Sequence, residues 1–213
     1  MSFKMKLNIV NKHEYEENED YREIIVKIPN ETEKLERDFR YLGLDYNNLS
    51  IQDTHILECE VIDTSDPQFS ATISAEISNI IARGNKLGWT APYQDIKAIF
   101  KIINNLNDED RDKLLAILET KKEDISNIKD AIKFANNIDC FELIVADDEE
   151  ELARRLIYNG DIDIEDLMDY ADLNRLGEDY ADDKNMKKTA QGYLTQECDL
   201  KNEIRKEEEE EFE

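Results

Sequence analysis

The chain has 213 residues, 40% of them hydrophobic, which suffices for one large domain or two to three small ones with cores of their own. Asp and Glu number 52 against 27 Lys and Arg, so the formal charge is −25, which opposes any direct grip on a phosphate backbone and argues against nucleic acid as a partner. There is no run of about 18 apolar residues and no apolar stretch ahead of a small-residue cleavage site, so the sequence reads as a cytoplasmic protein, neither secreted nor membrane-spanning.

The first part of the chain mixes strand and helix signals. KLNIV and REIIVKI are short β-rich runs, and Ile56 to Ile62 alternates apolar and acidic residues. Between them the spacing predicts one helix: Asn30 as N-cap, Glu31 and Glu33 in the first turn, Leu35, Phe39 and Leu42 as the apolar stripe, Gly43 as the stop. This is an N-terminal α+β domain over residues 1–68.

From Phe69 to Asn137 the apolar residues change to helical spacing. Ile73, Ile77, Ile80 and Ile81 form one stripe, Ile96, Ile99, Phe100 and Ile103 a second, Leu114, Leu115 and Leu118 a third, and Ile128, Ala131, Ile132 and Ala135 a fourth. The breaks at Gly84 to Gly88, Asn107-Asp108 and Lys121 to Asp124 are short, as antiparallel neighbours require. A helical bundle domain over residues 69–138 is expected.

The apolar run Cys140 to Ala146 then predicts a strand, followed by helices starting near Asp147 and near Asp169, the second with Leu173, Leu176 and Tyr180 on one face. This gives an acidic α+β domain over residues 139–196. Residues 197–213, ending in KEEEEEFE, offer almost nothing apolar to bury and read as a disordered charged tail. The predicted fold class is α+β: three small domains comprising an α/β N-terminal unit, a four-helix middle unit and an α+β C-terminal unit.

Few motifs carry chemistry. Cys59, Cys140 and Cys198 are far apart and lack CxxC spacing, which indicates neither a disulfide framework nor a zinc site and fits a reducing compartment. Asp161 to Asp172 sets acids at several positions of a calcium-binding loop, but Asp166 stands where the sharp turn needs glycine. His13 and His55 lack the spacing of metal ligands, and no phosphate-binding glycine loop or nucleophile elbow is present. No catalytic residue, metal or cofactor is expected, and the chain does not read as an enzyme. Trp89, Pro92 and Tyr93 cluster at a helix start, where packing is the commoner explanation; Tyr158, Tyr170, Tyr180 and Tyr193 interleave with the acids, where an interface role competes with a core one.

The charge is unevenly spread. Between residues 139 and 213 there are 26 acidic and 9 basic side chains, so that stretch carries −17 of the −25. Duplex DNA carries roughly one negative charge per 1.7 Å of axis, so the net charge equals about 42 Å of helix, on the order of a dozen base pairs. That magnitude suits competition with DNA for a basic groove, while solubility is the bland alternative.

Met168 to Leu194, MDYADLNRLGEDYADDKNMKKTAQGYL, resembles the C-terminal signature of the ArdA antirestriction family: an Asp-Tyr pair, then Gly-x-Asp, then Gly-Tyr. Asp169, Tyr170, Gly177, Asp179, Gly192 and Tyr193 match it, although Glu178 replaces an arginine often found after the middle glycine. VKIPNETEKLERDFRYLGL and QDTHILECE resemble segments nearer the family's start, so the likeness runs from Ile24 to Leu194. It implies an elongated, homodimeric protein of three small domains. The acidic surface of such a protein imitates bent B-form DNA and blocks the DNA-binding groove of type I restriction-modification enzymes. The expected mimicking acids are Glu149, Glu150, Asp161, Asp163, Glu165, Asp166, Asp169, Asp172, Asp179, Asp182 and Asp183. The competing reading is an acidic adaptor, unrelated to restriction enzymes, that recruits a partner through the aromatic and apolar surface of its middle helices, with charge serving solubility.

Overall fold

A computed structural model of the chain describes residues 4–17, 20–29, 32–49, 53–63, 65–87, 91–162 and 172–197. In chain order its elements are β1 (Lys4–Asn11), α1 (Lys12–Glu17), β2 (Glu23–Ile28), α2 (Thr32–Tyr41), β3 (Thr54–Ile62), α3 (Pro67–Lys86), α4 (Tyr93–Asn105), α5 (Asp108–Thr120), α6 (Ile128–Asn136), β4 (Phe141–Ile144), α7 (Glu149–Asn159), α8 (Leu173–Asp183), β5 (Lys187–Thr189) and β6 (Gly192–Gln196). The architecture is mixed α+β, as the sequence patterns imply. The chain divides into two compact units, residues 1–106 with 122–135 and residues 107–121 with 136–213. No described helix is long and apolar enough to cross a membrane.

The first unit is built on an antiparallel sheet of order β2-β1-β3. Alternation decides its faces: Ile24, Val26 and Ile28 on β2 and Met5, Leu7 and Ile9 on β1 point inward and are buried, while Lys6 faces out and meets Glu60 across the strand pair at 3.2 Å. Leu35, Phe39 and Leu42 of α2 are buried as their spacing predicts, and Gly43 adopts φ +76 to end the helix. Asn30 and Glu31, the expected cap and first-turn acid, lie outside the described residues, as does Trp89 of the aromatic cluster. Tyr93 is core: its ring lies 5.6 Å from Phe39 and 6.3 Å from Tyr46, and burial pushes its hydroxyl up to about 12. Helix α1 is not legible in the sequence because it is short and polar. Asn11 caps it, and Tyr15 holds it by stacking on His55 at 4.9 Å.

β3 is an edge strand, and its free edge is closed by a helix. Ser70, Ser74 and Ser78 stand four residues apart on α3 and share one face. Ser74 Oγ accepts the Val61 N–H at 2.7 Å, Ser70 Oγ accepts the Asp63 N–H at 2.7 Å, and Ser78 Oγ donates to the Cys59 carbonyl at 3.0 Å. Cys59, Val61 and Asp63 are each 3% exposed, so water cannot take the serines' place. The helix thus supplies what a neighbouring strand would supply, and β3 offers no edge for pairing with another chain. The same burial pushes the Cys59 thiol up to about 12 and leaves it inert.

The second unit is a small antiparallel sheet of order β4-β6-β5 with helices against it. Ile144 and Tyr193, paired across β4 and β6, join Leu152, Ala153 and Leu156 of α7, Leu176 of α8 and Met186 in one buried cluster. Leu173 and Tyr180 pack partly buried against it, so the predicted stripe of α8 does face the core. The alternate residues of the sheet meet α5: Lys121, which caps that helix, donates to Gln196 Oε1 at 3.0 Å and lies over the Phe141 ring at 5.9 Å. The β5–β6 hairpin is not legible in the sequence, because KKT has no strand-like apolar content. Thr189 Oγ1 makes the turn, accepting the Gln191 and Gly192 N–H groups at 3.2 and 3.1 Å. One expectation is corrected: Cys140 is disulfide-bonded, whereas spacing along a chain does not report which cysteines its folding brings together.

Replacing Ser70, Ser74 and Ser78 by alanine leaves buried backbone groups of β3 unpaired, at about 1–3 kcal/mol for each group. Urea unfolding of the triple variant should show a loss of at least that order. Thr72→Ala, which removes only a bond to the carbonyl of Gln68 on the exposed side of α3, should stay within about 0.5 kcal/mol of the parent.

Candidate functional site

The acids of the second unit fall into two groups that differ in what holds them there. Those at the start of α7 stabilise it. Asp148 is the N-cap and accepts the Glu151 N–H at 2.8 Å, while Glu151 reaches back to the Asp147 N–H at 2.9 Å, a reciprocal capping arrangement. Glu149, Glu150 and Glu151 occupy the positive end of the helix dipole. Glu150 pairs with Arg154 at 2.5 Å and Glu151 with Arg155 at 2.9 Å, each one turn on.

Glu149 is the most constrained of them. Its Oε1 accepts the Tyr193 hydroxyl at 2.5 Å and Lys188 Nζ at 3.0 Å. Those donors, Tyr193 foremost and Lys188 second, hold its carboxyl down at about 2. Lys188 also lies 5.4 Å from the centre of the Tyr193 ring, and hydrogen bonding to Tyr193 and then to Glu149 raises its own titration. A side chain offered by the sequence as a mimicking acid is therefore tied into the fold, although it keeps 30% of its surface in contact with solvent.

Both described signature glycines are explained by close approach. A Cβ on Gly177 of α8 would sit 2.0 Å from the carbonyl oxygen of Glu149, so α8 crosses the start of α7 at a distance only glycine permits. Gly192 has φ +138, and a Cβ there would lie 2.3 Å from the carbonyl oxygen of Ile144. Gly177, Gly192 and Tyr193, together with Glu149, thus form one structural knot. Asp169 and Tyr170, the remaining signature pair, lie outside the described residues, as do Asp163, Glu165 and Asp166 and with them most of the calcium-loop-like segment.

The second group of acids is on α8 and around it. Asp172 caps that helix by accepting the Asn174 N–H at 3.0 Å. Asp179, Asp182 and Asp183 are exposed at its far end, where the dipole is negative and the last turn contains no basic residue. Asp179 approaches Arg175 at 3.9 Å, and Lys184, just past the end, lies over the Tyr180 ring at 5.9 Å. Acids spaced three and four apart are neighbours about 5–6 Å apart and cost the helix about 0.2–0.5 kcal/mol per pair. Helix stability therefore accounts for the α7 acids, for Asp172 and for Asp179 beside Arg175, and works against Asp182 and Asp183.

Asp161 is exposed, and a further acid stands near it that sequence reasoning missed. Glu142, on β4, is pushed up by partial burial and then by the like charges of Glu197 and Asp161. Its strand is legible in the sequence, but which acids that strand brings together is a tertiary fact. Of the interleaved tyrosines, Tyr193 is buried, Tyr180 is half-buried and Tyr158 is 91% exposed. Among the described residues no three His, Cys, Asp or Glu side chains are placed to hold a metal ion. No family model matches the chain, and no curated protein gives a significant match.

Gly177→Ala forces α7 and α8 apart and should cost about 2 kcal/mol or more in urea unfolding. Glu149 has a folded value below its ordinary 4.5, so its contribution is present above pH 4.5 and is lost as pH falls toward about 2. The stability gap between the parent and Glu149→Gln should accordingly be constant from pH 7 to about 5 and shrink below that. A gap that widened on acidification would contradict the assignment.

Proposed function

We propose that this protein is an acidic decoy of DNA, an antirestriction protein of the ArdA type that binds the DNA groove of a type I restriction-modification enzyme and catalyses nothing. The observation that carries the reading is the end of α8, where Asp182 and Asp183 are exposed against the local dipole in the most acidic third of the chain. A fold does not gain stability from acids so placed. A basic partner surface does.

Binding would draw on many weak contacts with Lys and Arg, and on the release of ions bound to both partners. Glu150, Asp161, Asp172, Asp179, Asp182 and Asp183 are the described acids that would supply the contacts, each small and effective in number. The elongated three-domain organisation and the homodimer belong to the same proposal, on the strength of the sequence resemblance. An adaptor working through its middle helices has less in its favour, because the apolar stripes of α3 to α6 are largely buried.

The test is displacement of duplex DNA from a purified type I enzyme. The protein should displace DNA near stoichiometry, and an increase in salt of about fourfold should weaken it by about tenfold or more. Changing Asp179, Asp182 and Asp183 together to asparagine should weaken it by about tenfold, and each change alone by less than about twofold. No displacement at low salt across several such enzymes would remove the proposal.

A further inference from the structure

Tyr158 is 91% exposed and Val145 49% exposed, and both line one groove of about 440 Å³ on the second unit. Exposing them costs hydration, and together they give the groove an apolar part that a partner could cover. The groove runs from the start of α5, with Glu109 and Asp112, across Glu142 of β4, to Arg155 at the far part of α7. Arg155 is already paired with Glu151 at 2.9 Å. Glu142 is set among like charges, Glu197 and Asp161, which the charge of Lys113 opposes more weakly.

The occupant follows from that chemistry. A carboxylate or phosphate would meet three acids. A neutral apolar side chain would cover Tyr158 and Val145 but would take water away from the carboxylates of Glu109 and Glu142. A guanidinium satisfies both sets: its face stacks on an aromatic ring while its edge donates in parallel to carboxylates, and it sheds water more readily than an ammonium. We propose that this groove is an arginine-reading site, and that it anchors one arginine of the partner's basic surface within an otherwise diffuse electrostatic contact. The identity of that partner rests on the decoy reading above; the geometry of the groove does not.

The experiment uses the full chain and two probes, a blocked glycine-flanked arginine tripeptide and its lysine counterpart, followed at low salt by the NMR signals of the Val145 methyls and the Tyr158 ring. The arginine probe should shift both and bind about fivefold more tightly than the lysine probe. Tyr158→Ala, at a position too exposed to matter for folding, should remove the preference, Tyr158→Phe should keep it, and Glu109→Gln should weaken the arginine probe. Glu178→Gln, at an exposed acid of α8 outside the groove, should leave the preference unchanged. Equal binding of the two probes, shifts centred elsewhere, or no binding of either would overturn the proposal.

The same variants separate it from the decoy reading. If Tyr158→Ala displaces DNA from a type I enzyme as well as the parent does, the groove is not the anchor and the decoy reading stands. If the arginine preference is found and no enzyme is inhibited, the groove stands and the decoy reading falls.

Discussion

Self-repulsion is the constraint around which this structure is arranged. A chain with 25 surplus negative charges loses stability whenever it compacts, and each of its two units is small. The fold answers with local neutralisation where backbone must be held close. Glu149 is the clearest case: its carboxylate is matched by Tyr193 and Lys188, and its carbonyl receives Gly177 from α8. Removing the charge conflict at that point is what allows two acidic helices to share one core.

The acids therefore divide by cause. At the start of α7 each acid contributes to the fold, by capping the helix, by reaching back to the preceding backbone, or by pairing with a basic side chain. At the end of α8 the acids oppose the dipole and one another. A functional reading gains most from the second kind, because a group that lowers the stability of the fold needs another reason to be there. Counting charges does not make this distinction, and the sequence-based set of mimicking acids places Glu149 and Asp183 side by side.

Periodicity made the helices and most of the strands legible. The stripes of α3, α4 and α5 are buried where their spacing puts them, as is that of α6 but for the half-buried Ile132; Gly43 stops its helix as expected, and the break at Asn107-Asp108 is where α5 begins. The missed elements have physical reasons: α1 is held by a ring stacked on His55, and β5 by pairing with β6 rather than by apolar content of its own. Tertiary relations stayed hidden. Nothing in the spacing of Ser70, Ser74 and Ser78 says that they close the edge of β3, and nothing in the sequence assigns α5 to the sheet of the second unit. The site was legible as a region, and two of its glycines as a pattern. Their meaning, close approach to Glu149 and Ile144, needed the fold.

The most direct test of the account is a structure of the protein bound to a type I restriction-modification enzyme. The account predicts that the face carrying Asp179, Asp182 and Asp183 lies in the enzyme's DNA groove, with its carboxylates against the lysines and arginines that otherwise hold phosphates. A complex in which that groove stays open, with this protein bound elsewhere or through its first unit, would contradict it.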